Sequence, residues 1–433
     1  MIDLSRMLRR VCQRLNLFNI RIEARLRYAL PQIIGERIMR HFVATAIVLV
    51  VAAPAAARTL TVTPGPNAQE RLQEALLDAK PGDTVAIAAG RYDLTDGLSL
   101  DVNNVTVRGA GLDKTVLSFT GQQSAGEGLL VTSDDVVLRG FAIEDSKGDG
   151  IKSKGADRIV YKDIRVEWTG GPKPTNGAYG VYPVESTGVL VDGAIVRGAS
   201  DAGIYVGQSE DIIVRNSVVE RNVAGIEIEN SRHADVIHNT ATRNTGGILV
   251  FDLPDLPRGN GGDVRVAQNV VVENDTPNFA PPGNIVAQVP VGTGVLVMAN
   301  DGVLVAENTL AKNATANVMI VAYRNPQNDA RYNPLPRNVT VTNNAHGPSG
   351  FAPQLPSGDQ LAKAMGGALP PVVWDGTGDA ALLTVTDAPV LSLSLKAGEA
   401  PTAARPALAE LKRPAPAFRG PVVLPPAMEA AAK

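Results

Sequence analysis

The sequence predicts an all-β fold in which short strands are stacked in successive coils, with one helix closing the N-terminal end. Three observations support this fold class. The 433-residue chain is 44% hydrophobic but only 4% aromatic, it contains 42 glycines, and phrases opened by glycine recur at a nearly constant interval. A core of Val, Ile, Leu and Ala with few rings favours many short strands over one globular centre.

The recurring phrase is clearest in DAGIYVGQSEDIIVRNSVVERNVAGIEIE, where a Gly-Ile step begins at Gly203 and again 22 residues later at Gly225. The glycine-opened strands begin at Gly128, Gly150, Gly180, Gly203, Gly225, Gly247 and Gly294, with Asn317 in the last equivalent place. A second strand family alternates with them, and its second inward positions are Leu138, Tyr161, Val191, Val214, Ile237, Val266, Val305 and Val341. Leucine-rich spacing and long 3.6-periodic stretches are both missing. The pattern therefore indicates a single-stranded, right-handed parallel β-helix.

Four longer intervals are interpreted as insertions on this coil. The segments 168–179 and 273–293 come just before a glycine-opened strand, and 251–262 and 322–337 come just after one. Because loops of neighbouring turns also stack, we expect them to line both borders of the glycine-opened sheet.

The chain divides into six predicted regions. NAQERLQEALLDAK (67–80) has an apolar helical face, and Asn67 and Glu70 have the spacing of a capping box. This helix lies in a cap with the first turns (58–100), followed by the β-helix (101–345), an irregular C-terminal cap (346–395) and an Ala- and Pro-rich flexible tail (396–433). The apolar helical face consists of Ala68, Leu72, Ala75, Leu76 and Ala79.

The N-terminal segment has the pattern of an export signal. Residues 39–57 combine a basic start, a short apolar run and small residues, which predicts a signal peptide cleaved after Ala57. We interpret 1–38 as an upstream extension that is not native, with Met39 as the true start. The alternative is a membrane anchor, but the apolar run is shorter than the ~20 residues that a spanning helix needs. We therefore expect no stable membrane insertion after cleavage and a periplasmic or secreted protein.

The cysteine content and the net charge of the chain limit the disulfides and the partners that we expect. The only cysteine, Cys12, cannot form an intramolecular disulfide, and the formal net charge of −3 does not favour nucleic acid as a partner. We find no haem-attachment, P-loop or dinucleotide motif, and we expect no cofactor. His233 and His238 are too poorly spaced for a paired metal site, so no metal ligands are assigned.

Several phrases carry a resemblance to known proteins. KPGDTVAIAAGRYDL resembles the first turns of pectate-lyase-like right-handed β-helices, a superfamily rich in polysaccharide lyases, hydrolases and epimerases. VEWTGGP, NGAYGVYPV, GASDAGIYVGQS, NVAGIEIENS, NTGGILVFDLP and GTGVLVMAND resemble an exported bacterial family of parallel β-helix repeat proteins, over roughly 60–345. The narrower resemblance implies export and an exported cytochrome-c-like partner, but no particular activity. The Asp-Pro-His triplet of alginate epimerases and the clustered aspartates of calcium-dependent pectate lyases are missing.

Strand alternation places candidate site residues in two outward columns of the glycine-opened sheet. The first column contains Lys152, Tyr182, Tyr205 and Glu227, and we predict these to be catalytic, with Lys152 or a tyrosine as base and Glu227 assisting. Stacked tyrosines suit a sugar ring, and a base could remove the proton α to a uronate carboxylate. The predicted substrate-binding residues are Lys154 and Glu229 of the second column, with Asp252 and Arg258 of the Pro-rich loop.

The alternatives stay open at this point. Exposed Lys, Tyr and Glu are also ordinary solvated sheet surface. Asp149 and Asp201 are interpreted as turn residues, and Asn216, Asn239, Asn269, Asn308 and Asn344 as a ladder of turn asparagines. The function expected is binding of an extended acidic polysaccharide, with lyase or epimerase chemistry if the protein is an enzyme. The rivals are a non-catalytic docking protein for the cytochrome-c-like partner and a structural solenoid.

Overall fold

The computed structural model describes residues 56–124 and 126–433. The upstream extension, Cys12 and the signal peptide up to residue 55 lie outside these residues. Three short strands make up one coil, as in Ala202–Gly207, Glu210–Arg215 and Val218–Glu220. Strands of successive coils pair in parallel, so the molecule has the right-handed parallel β-helix fold that the repeat predicts.

Three faces result from this stacking. Face 1 is a twelve-stranded sheet and holds the glycine-opened strands. Its strands are Leu98–Leu100, Leu129–Val131, Ile151–Lys154, Tyr179–Val184, Ala202–Gly207, Ala224–Glu229, Gly246–Phe251, Thr293–Met298, Ala316–Val321, Val372–Trp374, Val390–Ser392 and Ala407–Ala409. All pairings in this sheet are parallel except that of Val390–Ser392 with Ala407–Ala409.

Faces 2 and 3 hold the second and third strands of each coil, such as Glu210–Arg215 on face 2 and Val218–Glu220 on face 3. Together they form one continuous twenty-stranded sheet. They are joined because the long strands Val137–Glu144 and Ile159–Glu167 continue round the corner between them; the second pairs with both Thr187–Asp192 and Ile195–Arg197. The first nine strands are Thr59–Val62, Thr84–Ile87, Gly90–Asp93, Thr106–Arg108, Thr115–Ser118, Val137–Glu144, Ile159–Glu167, Thr187–Asp192 and Ile195–Arg197. The other eleven are Glu210–Arg215, Val218–Glu220, Arg232–Ile237, Thr240–Thr242, Gly262–Ala267, Val270–Val272, Asp301–Ala306, Thr309–Ala311, Arg337–Thr342, Ala345–His346 and Leu383–Val385.

The core lies inside the coil, where aliphatic side chains of one strand position stack on those of the next. Val181, Ile204 and Ile226 are in register on face 1 and have no exposed surface. One expected inward position is wrong: Val236, not Ile237, pairs with Val214 and is buried. A shift of one residue turns a strand side chain to the opposite face, so Ile237 points outward.

Asparagines stack at the corners, where backbone groups need partners. The Nδ2 groups of Asn239, Asn269 and Asn308 each donate to the Oδ1 of the next ladder asparagine at 2.9–3.1 Å, which confirms the predicted ladder. Asn216 does not belong to it, because it is exposed and donates to Asp192. A second buried ladder, which the sequence analysis did not single out, consists of Asn222, Asn244, Asn274 and Asn313.

Helix α1, Ala68–Asp78, closes the N-terminal end with the predicted apolar face towards the core. The capping box does not form, because Asn67 has a left-handed backbone (φ 55°) and makes no side-chain cap bond. Among the described residues, the other helices are α2, Gly358–Ala364, and α3, Pro426–Ala431, together with three 3₁₀ turns. These turns are Ile285–Gln288, Ala380–Leu382 and Pro401–Ala403. Within 56–124 and 126–433, no helix is both long and apolar enough to cross a bilayer.

The C-terminal segment differs from the flexible tail expected for 396–433. Val422, Leu424 and Met428 are buried against an outward apolar patch on face 2, formed by Val160, Leu190 and Ile213. Ion pairs fix both sides of this contact: Arg419 Nη2 lies 3.1 Å from Asp235 Oδ1, and Arg215 Nη2 lies 2.8 Å from Glu429 Oε2. A Pro-rich composition therefore does not keep this segment in solution, because face 2 offers apolar surface to cover.

Candidate active site

The predicted column exists on face 1. Lys152 pairs in register with Tyr182, and Tyr205 with Glu227, on neighbouring strands. The rings of Tyr182 and Tyr205 lie 5.0 Å apart between centroids. The four residues expected to be catalytic thus lie at equivalent positions of successive strands, as the spacing of the repeats predicts.

The expectation that the column is an exposed surface is wrong for two of its four members, Tyr205 and Glu227. Lys152 keeps 25% of its side chain exposed and Tyr182 is half-buried. Tyr205, however, is only 5% exposed and Glu227 only 1%. The sequence places the inserted loops at the borders of face 1, but they also fold over it.

The insertion between Val272 and Thr293 forms most of this roof. Its Val286 and Val289 are buried in a second apolar cluster, outside the coil, together with Tyr205 and Leu249 of face 1. From the opposite border, Tyr332 donates its hydroxyl to the backbone oxygen of Asp252 at 2.6 Å. Outward residues of face 1 are therefore enclosed between the sheet and the loops.

Four carboxyl groups lie in this enclosed zone and are named here the carboxyl cluster: Asp201, Glu227, Glu229 and Asp252. Each is 7% exposed or less. Tyr205 donates its hydroxyl to Glu229 Oε1 at 2.7 Å, and Asn284 of the roof donates Nδ2 to Asp201 Oδ2 at 3.1 Å. Glu227 Oε2 and Asp252 Oδ2 are buried without a hydrogen-bond partner.

Cations do not neutralise the cluster. In the part of the chain that the structure describes, none of the four carboxyls forms an ion pair with Lys or Arg. Lys152 instead pairs with Glu127 (3.2 Å) and Asp149 (3.9 Å), and its Nζ lies 4.9 Å from the centroid of the Tyr182 ring. The described residues also contain no group of three or more Asp, Glu, His or Cys arranged to hold a metal ion.

Burial and mutual repulsion therefore shift the protonation of the cluster. Burial, followed by the charge of Glu229, raises the pKa of Asp201 to about 7. Burial also raises the pKa of Asp252 to about 6 and that of Glu229 above its ordinary value. The pKa of Glu227 is raised well above its usual range by burial and by the charges of Asp201 and Glu229. Carboxyls tuned in this direction suit proton transfer near neutral pH.

The pKa values of Tyr182 and Tyr205 are shifted in the direction that makes each phenol a poorer base. Burial raises the pKa of Tyr182 to about 12, and burial with the nearby carboxylates raises the pKa of Tyr205 further. A phenol that stays protonated donates rather than accepts a proton. This argues for Glu229, which accepts the Tyr205 hydrogen bond, as base, with Tyr205 as a donor.

The structure does not bring every predicted binding residue to the cluster. Lys154 is 57% exposed, pairs with Glu185 at 3.7 Å and lies three strand spacings before Glu229 in the second column. The guanidinium of Arg258 is directed to Glu210 on face 2, at 3.5 Å. Asp252 does join the cluster, where its Oδ1 accepts the Gly261 amide at 3.0 Å and closes the loop between them.

Asp149, Tyr179 and Asn284 also belong to the site, as Asp201 does, although the sequence pattern indicated no functional role for any of them. The pattern favoured turn roles for Asp149 and Asp201, yet burial raises the pKa of Asp149 to about 6. The Tyr179 ring lies 4.5 Å from those of Tyr182 and Tyr205. Tyr179 sits directly before an opening glycine, so extending the column analysis by one position would have found it. No local pattern marks Asn284, because its contact to Asp201 spans 83 residues.

The histidines considered for a metal pair lie elsewhere. His233 Nδ1 is hydrogen-bonded to Asp211 on face 2, and His238 is exposed at the following turn.

Comparisons with known proteins agree with this fold. A family described as "Right handed beta helix region" matches residues 96–256. The A-module of the mannuronan C-5 epimerase AlgE4 from Azotobacter vinelandii is similar, with a TM-score of 0.50 and 12% identity over 77% of this chain and 94% of that one. DFA-IIIase from Arthrobacter chlorophenolicus A6, solved with DFA-III, has a TM-score of 0.53 and 13% identity over 81% of this chain and 87% of that one. No curated protein matches by sequence. At such identities the likeness concerns the fold.

Proposed function

We propose that this protein of right-handed β-helix fold is a carbohydrate-active enzyme. In this proposal a sugar chain lies on face 1, and the carboxyl cluster moves protons to and from it. Solved β-helix proteins of similar fold include a mannuronan epimerase, which makes a polysaccharide the first substrate class to test.

One observation supports this proposal most strongly: Glu227 is buried without a partner for Oε2 in a column whose next members are Leu249 and Leu296. A leucine at 227 would continue the apolar packing of those rungs. Burying a carboxyl with one unpaired oxygen instead costs stability, by several kcal/mol if the group is ionised. Because this cost does not improve the packing of face 1, it indicates that the Glu227 carboxyl has a functional role.

The open end of the column offers the route to the cluster. Lys152 and Tyr182 retain solvent contact, and the faces of aromatic rings are good surfaces for sugar rings. From there, a chain running along face 1 reaches Tyr205 and Glu227 within two strand spacings, about 10 Å. The reacting sugar unit would then lie under the roof, where water is excluded.

The preferred reaction is proton abstraction from a uronate, as in lyases and epimerases. A protonated Asp201 or Glu227 hydrogen-bonds the substrate carboxylate and lowers the cost of charge on it. Glu229 takes the C5 proton, the C4–C5 double bond forms, and the C4–O bond breaks. The leaving oxygen receives the Tyr205 proton, and the proton on Glu229 returns to Tyr205 through their 2.7 Å hydrogen bond. An epimerase would instead return a proton to the opposite face of C5.

Hydrolysis of a neutral glycoside is the second candidate, because none of the four carboxyls forms an ion pair with Lys or Arg within the described residues. An anionic sugar meets repulsion there unless the carboxyls are protonated. A neutral sugar does not. In that case Glu227 would act as general acid and Glu229 would activate water or attack the anomeric carbon.

Turnover on a polysaccharide panel tests the proposal and separates its branches. The full chain, Glu227→Gln and the control Glu185→Gln are incubated with uronate and neutral polysaccharides. A lyase gives absorbance of the unsaturated product, a hydrolase gives reducing ends without that absorbance, and an epimerase changes only the NMR signature of the sugar. Glu185 directly follows the face 1 strand Tyr179–Val184 and is exposed, so its variant should keep activity.

The proposal fails if Glu227→Gln turns over substrate as the wild type does, or if no sugar of the panel reacts. In the second case docking to an exported cytochrome-c-like protein becomes the better account, and co-purification with a haem protein would test it. A solenoid with neither property would have a structural role.

Export remains a proposal that rests on residues 39–57. N-terminal sequencing of the protein recovered from the cell envelope or medium should begin at Arg58. Recovery of an intact Met39 start would contradict cleavage.

A further inference from the structure

Beyond the carboxyl cluster, face 1 carries a semi-enclosed pocket of about 200 Å³. Its floor continues the second column: Glu229 is in register with Phe251, Phe251 with Met298, and Met298 with Val321. The pocket thus begins one strand spacing after Glu229, and Phe251 forms the wall between them. It is named here the apolar pocket.

The walls of the apolar pocket are mostly aliphatic and thioether groups, and Tyr323 and the amides of Gln288 and Asn325 complete the lining. Leu296 and Met319 lie on the floor, Val289 of the roof lies on one side, and Leu393 and Leu395 close the far end. These residues are 9% exposed or less. Flexible Met side chains adapt to the shape of a ligand, and aliphatic walls favour groups without hydrogen-bonding capacity.

The charges at the rim are already satisfied. Arg324 donates Nη2 to Asp375 Oδ2 at 2.9 Å and Nη1 to the backbone oxygen of Glu399 at 2.8 Å. Asp375 Oδ1 accepts from the amide and hydroxyl of Thr377. With both charges paired, the pocket favours an uncharged occupant over a carboxylate or an amine.

The volume of the pocket limits the size of that occupant. An apolar cavity of about 150 Å³ binds benzene in another protein, so this pocket has room for about six to eight carbon atoms. A sugar ring is a poor fit, because most of the lining is apolar and would leave most of its hydroxyls without partners.

We propose that the apolar pocket binds an uncharged aliphatic or aromatic substituent of the sugar ligand. That the substituent and the sugar belong to one molecule rests on the proposed function, because the pocket and the carboxyl cluster share one face and one wall. The ligand is then a sugar carrying an alkyl, acyl or aryl group, rather than an unmodified polysaccharide. Its sugar lies toward Tyr182, and its apolar group lies beyond Phe251.

Calorimetric titration of the full chain with toluene, an uncharged probe of this size, tests the pocket itself. One saturable site is expected, and octyl β-D-glucopyranoside should displace the probe at a concentration at least tenfold lower than methyl β-D-glucopyranoside. The filling variant Val321→Trp should weaken probe binding at least tenfold. The control Val270→Trp, at an exposed valine on face 3, should not.

A second variant guards against misfolding. Met298→Gln keeps the shape of the side chain but introduces an amide, and it should weaken probe binding while leaving the thermal midpoint close to that of the wild type. Equal probe affinity in wild type, Val321→Trp and Met298→Gln would overturn the pocket. Probe binding without displacement by the octyl glycoside would overturn the link to a sugar.

The outcome does not depend on catalysis. Glu227→Gln should bind toluene as the wild type does, whether or not either protein turns over a polysaccharide. Loss of turnover with intact probe binding would leave the pocket standing, and loss of probe binding in Val321→Trp with intact turnover would leave the proposed function standing.

Discussion

At the scale of single residues, the site is defined by buried groups that a purely structural sheet would not contain. Leu249 and Leu296 show what packing alone selects on the outer side of face 1. Asp201, Glu227 and Glu229 interrupt that apolar surface, and their pKa values are raised because the roof removes water.

Replacing Glu227 with glutamine should separate activity from stability. We expect turnover to fall by about 100-fold or more, in line with the contribution of a positioned acid or base. The free energy of unfolding should stay the same or rise, because an amide removes a buried carboxyl that repels Asp201 and Glu229. Urea unfolding checks the second part. A marked destabilisation would mean that Glu227 has a structural role.

The Tyr205 hydrogen bond to Glu229 should contribute measurably to stability. Tyr205→Phe leaves a buried carboxyl without its donor, which should cost about 1–3 kcal/mol of unfolding free energy. Tyr182→Phe is the matched control, because Tyr182 is half-buried and a neighbour of Tyr205 in the same column. Equal effects in the two variants would contradict the role given to this bond.

The raised pKa of Asp201 predicts a pH dependence with a definite sign. The folded protein holds this proton more tightly than the unfolded chain, so the associated stability is complete below about pH 4 and is lost as pH rises through about 7. The loss is on the order of 4 kcal/mol. The difference between wild type and Asp201→Asn, measured by urea unfolding from pH 4.5 to 7.5, should follow this slope. A flat difference would contradict the shift.

At the scale of elements, strand periodicity was sufficient to find the columns, while loop conformation was not predictable. Position within a strand decides the side on which a residue lies, so Lys152, Tyr182, Tyr205 and Glu227 could be aligned from the sequence. Whether an outward residue is exposed depends on contacts from distant loops. The insertion containing Asn284 reaches Asp201 across 83 residues, and no local pattern encodes that contact.

The C-terminal segment shows the same limit. Its composition suggests a flexible chain, but alternate residues dock on face 2. Val422 is 6% exposed and its neighbour Val423 is 85% exposed. Val422→Ala should therefore lower the unfolding free energy by about 1 kcal/mol, from the lost burial of its methyl groups, and Val423→Ala should leave it unchanged within about 0.5 kcal/mol. Equal effects of the two variants would show that the segment is not packed in solution.

At the scale of the whole molecule, the coil places residues that are distant in the sequence next to one another on one face. Residues 22 positions apart become adjacent here, so carboxyls from three coils meet with the roof above them. The repeat revealed the fold because each coil needs the next to bury its apolar side. The enclosed site was not predictable in the same way, because it depends on insertions that break the repeat.

The central claim is that sugar binds on face 1 with its reacting unit against the carboxyl cluster. A crystal structure of Glu227→Gln soaked with uronate and neutral oligosaccharides tests it most directly. We expect a sugar ring on Tyr182 and a neighbouring ring within hydrogen-bond distance of Glu229, beneath the loop that carries Asn284. Oligosaccharide bound on face 2 or face 3 with an empty face 1, or no bound sugar at all, would contradict the account.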